Sequence, residues 1–287
     1  MERVNYQDDV TARLYDKLSR IATPIRVGET EAGRSILLFR FGQTPKILLC
    51  GGIHAREWIT SLLLVKLAER EGDGLAFDLL PCLNPDGAEL CRRGIGSVPV
   101  GMRARVEAIG GSGFSGWKAN LRGVDLNVNF DADWGEGKYN VTHPAPSDYI
   151  GKYPESEKET QTAVRVLRYG YALINCYHSL GEEVYWGYEH NFRHYAEARA
   201  YADAVGYKLK RSDGSAGGMK DYYALTYPGL GLTTEVGEER YGHPYPTERL
   251  EILVKRHAGS LRLLTQMGEK IDGRIRASGT GRSKESL

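Results

Sequence analysis

The sequence is poor in features that mark several large classes of protein. Only four of its 287 residues are cysteines, and they show no CxxC spacing. Its 38 basic residues almost balance its 37 acidic ones, so the net charge is +1. We therefore expect neither nucleic acid nor an anionic membrane as the main partner. No apolar run approaches the ~18 residues that a membrane span requires.

The N-terminus and the cysteines both bear on the cellular compartment. The first ten residues, MERVNYQDDV, contain no apolar segment, so we expect no secretory signal there. Cys50 and Cys176 lie in strand-like apolar runs, which indicates buried free thiols rather than disulfides. The sequence thus predicts a cytoplasmic protein, and it indicates no particular oligomeric state.

Strand-like and helix-like segments alternate along the chain. Continuous apolar runs predict strands buried on both faces, at 35–41, 46–50, 75–83, 172–177 and 230–236. Apolar residues three and four positions apart predict helices at 8–21, 58–69, 156–169, 192–205 and 247–267. This alternation predicts a single α/β domain with a mixed sheet over residues 1–268. We expect an irregular, Gly-rich loop at 92–116 and a disordered tail at 269–287.

The run from Lys46 to Trp58, KILLCGGIHAREW, contains two candidate metal ligands. An apolar strand breaks at two glycines, and His54 and Glu57 follow three positions apart. Zinc hydrolases commonly bind the metal with two histidines and one carboxylate and leave the fourth position to water. His178 directly follows another predicted strand and is our candidate for the third ligand.

Further polar residues follow predicted strands. Glu235 lies at the end of the run 230–236, and Asn84 and Asp86 follow the strand that ends near Leu83. In open α/β sheets, ligands bind beyond the carboxyl ends of the strands, so these groups are expected at one edge. An HxxE pair alone arises by chance, and a lone histidine is more often structural. A carboxylate at the end of an apolar strand, however, needs a partner or a function.

Several motifs occur together in one order. They are GGIHAREW, NPDG at 84–87, GVDLN at 123–127, YIGKYPESEKE at 149–159, YHS at 177–179 and TTEVG at 233–237. In this set the chain resembles the zinc metallocarboxypeptidases of the carboxypeptidase A-like superfamily. The resemblance implies a mixed, eight-stranded sheet between helices and one zinc ion per chain. It also implies His54, Glu57 and His178 as the ligands and Glu235 as the catalytic base.

One segment resembles a particular branch of that superfamily. The residues GSGF at 111–114 and WKANLRGVDLN at 117–127 are similar to those of bacterial γ-D-glutamyl-diaminopimelate peptidases. Some of these are cytoplasmic amidases that recycle murein tripeptide. The resemblance therefore implies a small murein peptide as the substrate. It also suggests Arg122 as the donor to the carbonyl oxygen, with Lys118 and Asn120 as alternatives.

The remaining expected roles concern substrate contacts and support of the metal. Asn127 is expected to contact a substrate carboxylate. Asp125 is expected to orient a zinc-binding histidine, as carboxylates behind metal ligands do. Asp86 is a second candidate for that role, although it is equally compatible with an ordinary turn residue.

The chain departs from the digestive carboxypeptidases at two positions. Val128 stands where that group has the arginine that clamps a terminal carboxylate, and Asp213 stands where it has a mobile tyrosine. Removal of C-terminal residues from ordinary peptides is therefore less favoured. Lys220, in GGMKDY, falls at the specificity pocket of the family and would suit an acidic group. The alternative is a lysine exposed to solvent on a helix.

Three other functions remain open from the sequence. One is a metallocarboxypeptidase that removes C-terminal residues, possibly acidic ones. Another is a deacylase similar to the aspartoacylase group, which NPDG and WKAN argue against. The third is a binding module without activity, and the intact set of candidate ligands and base argues against it.

Overall fold

The strand β3 (Ile47–Cys50) is buried along its whole length, because its two faces pack against different layers of helices. Ile47 and Leu49 pack against one layer, and Leu48 and Cys50 pack against the other. This arrangement is the physical reason for the continuous apolar run in the sequence. The computed structural model in which this packing is seen describes residues 9–111, 113–212 and 214–278.

Strands and helices alternate through most of the chain. The other strands are β1 (Thr23–Glu29), β2 (Ser35–Phe41), β4 (Phe77–Leu80), β5 (Leu173–His178), β6 (Glu183–Trp186), β7 (Lys208–Arg211) and β8 (Leu230–Glu235). The helices are α1 (Val10–Leu18), α2 (Ile59–Glu71), α3 (Pro85–Arg93), α4 (Val100–Gly110), α5 (Lys158–Leu167), α6 (Tyr195–Val205), α7 (Met219–Thr226), α8 (Leu250–Arg256) and α9 (Ser260–Ala277).

In the described part of the chain, eight strands form one sheet in the order β1-β2-β4-β3-β5-β8-β6-β7. The strands β4, β3, β5 and β8 are parallel, whereas β2 joins β4 and β6 joins β8 in antiparallel fashion. Helices α1, α2, α6, α8 and α9 contribute to the hydrophobic cluster on one face, and α5 and α7 contribute to that on the other. The predicted single α/β domain with a mixed, eight-stranded sheet is confirmed. Over the described ranges, no helix is both long and apolar enough to cross a membrane.

Helices occupy parts of two segments that were predicted to be irregular. The segment 92–116 is not a loop throughout, because α4 occupies Val100–Gly110. Val106 is the buried residue of this helix, so the helix lacks the apolar spacing that would have predicted it. The tail is also ordered as far as Ala277, because α9 continues there and buries Ile271. Residues 279–287 lie outside the described ranges.

Candidate active site

The segment after β3 turns sharply and presents two of the predicted ligands. Gly52 has a φ of +58°, and a Cβ at this position would lie 2.7 Å from Ser61 Oγ. Only glycine fits such a crowded left-handed position. A short 3-10 turn, Ala55–Glu57, follows. The Ala55 N–H donates to the carbonyl oxygen of Lys118 at 3.0 Å, and this bond joins the ligand segment to the WKAN motif.

The three predicted ligands converge. His54 Nδ1 lies 2.9 Å from Glu57 Oε1, and His178 Nδ1 lies 3.0 Å from Glu57 Oε2. The two Nδ1 atoms are 3.1 Å apart, and all three side chains are buried. Ligand atoms around a tetrahedral zinc ion with bonds of about 2.0–2.1 Å lie roughly 3.3 Å from one another. The spacing and the donor set therefore fit zinc. Among the described residues, these three form the group that could hold a metal ion.

The charges in this cluster are strongly coupled. Burial opposes ionisation of Glu57, but His54 and His178 outweigh burial and hold the pKa of the carboxyl well below its usual range. Burial lowers the pKa of His54, yet the Glu57 and Asp125 carboxylates raise it to about 9. Burial and the neighbouring His54 lower the pKa of His178. Because a histidine ligates metal in its neutral form, metal binding must displace the proton from His54.

Asp125 supports the ligand cluster from behind. Its Oδ1 lies 3.2 Å from His54 Nε2, and its Oδ2 lies 2.7 Å from Lys118 Nζ. The side chain is completely buried, and these cations hold the pKa of its carboxyl well below the usual range despite the desolvation. The structure thus places Asp125 where the sequence predicted it, on the far side of an imidazole whose Nδ1 faces the other ligands.

Glu235 ends β8 directly beside the ligand at the end of β5. His178 and Glu235 are register partners in this parallel pair of strands. The Glu235 side chain lines a cavity of about 350 Å³ that also reaches Lys118, Asn127 and Val128. Burial, with a further contribution from the negative charge of Glu57, raises the pKa of Glu235 to about 8. A titratable carboxyl at the wall of a cavity is a typical position for a general base.

The structure does not bring Arg122 or Asn120 to the cavity, where their predicted roles would require them. Arg122 is exposed, its Nε lies 3.2 Å from Glu157 Oε2, and it is not among the residues that line the cavity. Asn120 is fully buried; its Nδ2 donates to Glu157 at 2.7 Å and its Oδ1 accepts the N–H groups of Arg122 and Val124. Lys118, the other alternative, does line the cavity. The sequence did not show which of the three candidates faces the site, because the pairing of Lys118 with Asp125 is a tertiary contact.

Asn127 and Val128 both line the cavity. Asn127 Oδ1 accepts the N–H of Met219 at 3.1 Å, and this bond fixes the side chain against the start of α7. Val128 provides an apolar patch of wall and no hydrogen-bond donor. Asp213, the position of the missing tyrosine, lies outside the described residues.

Lys220 is buried in the cavity wall, so the alternative of a solvent-exposed lysine is wrong. Its Nζ donates to Ser212 Oγ at 2.6 Å and to the carbonyl oxygen of Gly187 at 2.8 Å, and it lies 2.5 Å from Asp221 Oδ1. Sequence reasoning missed Ser212, Ser215 and Asp221, which also line the cavity. The adjacent charges of Lys220 and Asp221 were the available signal for a buried pair.

Neither polar residue of the NPDG motif joins the ligand cluster. Asn84 caps α3 by accepting the N–H of Gly87 at 3.0 Å, and its Nδ2 donates to the carbonyl oxygens of Ile53 and Ala119. It therefore fixes the ligand segment rather than the metal. Asp86 forms a buried ion pair with Arg34 at 2.7 Å, so its proposed role behind a zinc histidine is wrong.

Comparison with known proteins identifies the family that this fold and this site define. Residues 8–257 match the family described as zinc carboxypeptidase, and the chain belongs to that family. The buried His-Glu-His cluster is a fitting site for the zinc ion from which the family takes its description.

The curated relatives include enzymes of two kinds. The chain is 28% identical over 265 residues to gamma-D-glutamyl-L-diamino acid endopeptidase 1 of Lysinibacillus sphaericus, covering 80% of this chain and 65% of the relative. It is 27% identical over 234 residues to carboxypeptidase B of Rattus norvegicus, covering 74% of this chain and 54% of the relative. The chain thus spans less than two thirds of the length of either relative.

Solved structures share the fold. Bovine thrombin-activatable fibrinolysis inhibitor aligns with a TM-score of 0.72 at 18% identity, covering 93% of this chain and 97% of that chain. The murein-tripeptide amidase of Escherichia coli O157 aligns with a TM-score of 0.54 at 20% identity, covering 80% of this chain and 91% of that chain.

Proposed function

We propose that this zinc peptidase hydrolyses the amide bond between γ-D-glutamate and a diamino acid, most specifically meso-diaminopimelate, in murein peptides. The proposal rests on the position of Val128, an apolar residue that lines the same cavity as Glu235. A digestive carboxypeptidase needs an arginine at this position to clamp a terminal carboxylate bidentately. The name of the Lysinibacillus relative supports a γ-D-glutamyl substrate.

In this proposal His54, Glu57 and His178 hold the zinc ion, and Asp125 keeps the His54 ring in orientation. When bound, zinc supplies a Lewis acid next to the scissile carbonyl and makes a neighbouring water easier to deprotonate. Burial and the negative charge of Glu57 raise the pKa of Glu235 to about 8, so this carboxyl exchanges its proton close to neutral pH. Glu235 is then a carboxylate able to act as a base near neutral pH.

Glu235 takes a proton from the attacking water as the water oxygen bonds to the carbonyl carbon. Negative charge then builds on the carbonyl oxygen, and Lys118 is the cation of the cavity wall assigned to stabilise it. The C–N bond breaks as Glu235 passes the proton to the leaving amine. Asn127, held by the N–H of Met219, contacts a carboxylate of the substrate.

We also propose that the protein acts in the cytoplasm. All four cysteines are free thiols and all are buried. Free thiols are typical of reducing compartments, where recycled murein peptides would be met as small soluble substrates.

A second candidate function is removal of C-terminal residues from peptides. The carboxypeptidase B relatives favour it. Val128 argues against it, because an apolar side chain offers no bidentate donor to a terminal carboxylate.

A panel of three substrates tests the proposed function. The zinc-loaded enzyme would be given L-Ala-γ-D-Glu-meso-diaminopimelate, a peptide ending in glutamate and an N-acylated amino acid, with products identified by mass spectrometry. We expect cleavage of the γ-D-Glu–diaminopimelate bond and a much lower rate on the other two. Faster release of C-terminal glutamate would refute the proposal. The Glu235→Gln variant serves as the inactive control for contaminating peptidases.

A further inference from the structure

Two opposite charges are buried side by side in the wall of the cavity. The Lys220 and Asp221 side chains are 5% and 3% exposed, and Nζ lies 2.5 Å from Oδ1. Ser212 and Ser215 line the cavity beside them. We call these four residues the paired-charge pocket. A buried ion pair contributes little to stability on balance, so its place at a ligand cavity suggests a role in recognition.

Lys220 cannot serve as a simple anchor for an acidic group. Its ammonium has three N–H donors, and its three close oxygens belong to Asp221, Ser212 and Gly187. A substrate carboxylate would have to displace one of these partners to reach Nζ. The charge of Lys220 nevertheless polarises Ser212, which accepts a hydrogen bond from Nζ and lines the cavity.

Ser212 Oγ accepts the bond from Lys220 at 2.6 Å, so its own O–H points to a different partner. Within the described ranges, no protein acceptor bonds to that O–H. A hydroxyl that accepts from an ammonium is polarised and becomes a stronger donor. Ser212 is therefore suited to donate to a carboxylate in the cavity.

Asp221 offers the complementary group. Its Oδ2 accepts one long bond, from Ser215 Oγ at 3.2 Å. A carboxylate has about four acceptor sites, so Asp221 keeps capacity for a further donor. An ammonium is the donor that a carboxylate binds most strongly in a partly desolvated pocket.

We propose that the paired-charge pocket binds a side-chain terminus that carries an ammonium and a carboxylate together, the ammonium on Asp221 and the carboxylate on Ser212. This inference rests on the proposed function, in which the leaving residue is a diamino acid, and it selects meso-diaminopimelate over lysine. The charges of Lys220 and Asp221 cancel, and a bound zwitterion leaves the net charge of the pocket at zero. A terminus with one charge leaves one pocket group without a partner.

The first test needs only the wild-type, zinc-loaded enzyme. Three γ-D-glutamyl substrates would be compared. The one that ends in meso-diaminopimelate has both charged groups at its side-chain terminus. The one that ends in lysine has only the ammonium, and the one that ends in 2-aminopimelate has only the carboxylate. We expect kcat/KM for each one-charge substrate to be at least about tenfold lower than for meso-diaminopimelate. Equal values across the three would overturn the inference.

Two variants assign the groups. Ser212→Ala should lower kcat/KM about tenfold for the two carboxylate-bearing substrates and leave the lysine substrate nearly unchanged. Asp221→Asn should instead penalise the two ammonium-bearing substrates. Asp221→Asn leaves Lys220 buried without its counter-charge, so the fold of this variant is checked by circular dichroism. If the Asp221→Asn variant unfolds, the result for Ser212→Ala decides. Exposed residues provide matched controls, Ser19→Ala and Asp203→Asn. An equal loss on all three substrates in Ser212→Ala would contradict the assignment.

The same three residues, attached through an ordinary α-peptide bond, separate this inference from the proposed function. Cleavage of the γ-linked set without the expected ranking would mean that the function is right and the pocket assignment is wrong. Cleavage of only the α-linked set, with the ranking preserved, would mean that the pocket assignment is right and the bond is misassigned.

Discussion

The ammonium of Lys118 lies 2.7 Å from Asp125 Oδ2, and the opposite oxygen of the same carboxylate lies 3.2 Å from His54 Nε2. One buried carboxylate thus connects a metal ligand to the cation that lines the substrate cavity. Asp148 provides Lys118 with a second, more exposed partner at 3.1 Å. Two residues nominated separately from the sequence therefore belong to one electrostatic unit.

Removal of the Asp125 charge should weaken zinc binding. Asp125→Asn takes away the carboxylate behind His54, and loss of such a partner typically lowers metal affinity about 10–100-fold. Competition with a chelating dye would measure the change. Asp148→Asn is the matched control, since among the described residues the Asp148 side chain pairs with Lys118 and with none of the three ligands. If both variants retained wild-type affinity, Asp125 would have no orienting role.

The two candidate donors to the carbonyl oxygen can be distinguished by one pair of variants. Lys118→Met should lower kcat by about 10²–10³-fold, as loss of an oxyanion donor does, whereas Arg122→Met should change it by no more than about threefold. Steady-state kinetics on the preferred peptide would decide. Zinc content is measured in parallel, because Lys118→Met also deprives Asp125 of a partner. A larger loss in the Arg122 variant would restore the original assignment.

Much of the fold was predictable because the central strands are buried on both faces. Such strands appear as continuous apolar runs, and β2 coincides with the predicted 35–41. The edge strands β1 and β7 were missed, because most of their residues are partly or fully exposed and leave no such run. The predicted helix 247–267 is really α8 and α9, separated at Gly259, where φ is +79°.

The candidate site was predictable to the extent that it lies at strand ends. His54, His178 and Glu235 follow or end parallel strands, so their convergence followed from topology. The sequence did not show that the Arg122 and Asn120 side chains lie away from the cavity. Both residues lie in a turn, where spacing along the chain does not determine the direction of a side chain. Ser215 and Asp221 could not be placed, since the loop before α7 and the first turn of α7 reach the cavity only through tertiary packing.

Glu235→Gln should separate metal binding from catalysis. The amide is nearly isosteric but cannot accept the proton of the attacking water, so we expect wild-type zinc content and a fall in turnover of about 10²–10⁴-fold. Metal analysis and kinetics on the same preparation would test this. His178→Ala is the contrasting variant and should lose zinc. Substantial activity in Glu235→Gln would show that another group is the base.

Restoring a guanidinium at the cavity wall should shift specificity. Val128→Arg would place a bidentate donor where digestive carboxypeptidases have one, and we expect at least about a tenfold rise in kcat/KM on simple C-terminal peptides. Val128→Met controls for side-chain length without the charge. No gain in the arginine variant would mean that another group of the cavity already anchors the terminal carboxylate.

His257 lies far from these groups in sequence and is buried between two tyrosine rings. Its ring centroid is 5.9 Å from that of Tyr177 and 5.4 Å from that of Tyr207, and Nε2 lies 3.3 Å from the Tyr207 hydroxyl. The side chain is completely buried. Burial, together with the charge of Arg256, lowers the pKa of His257 to about 3.

This depressed pKa predicts how stability depends on pH. In the unfolded chain the pKa is about 6.5, so between that value and about 3 the unfolded state binds a proton that the folded state does not. The contribution of His257 is therefore complete above pH 6.5 and is lost as the pH falls. The free energy of unfolding would be measured with urea at several values from about pH 7.5 to about pH 4.5. As the pH falls, it should decrease more steeply in the wild type than in His257→Gln, by up to about 1.4 kcal/mol per pH unit. The exposed His190→Gln should follow the wild type, and parallel curves for all three proteins would show that His257 is protonated in the folded state.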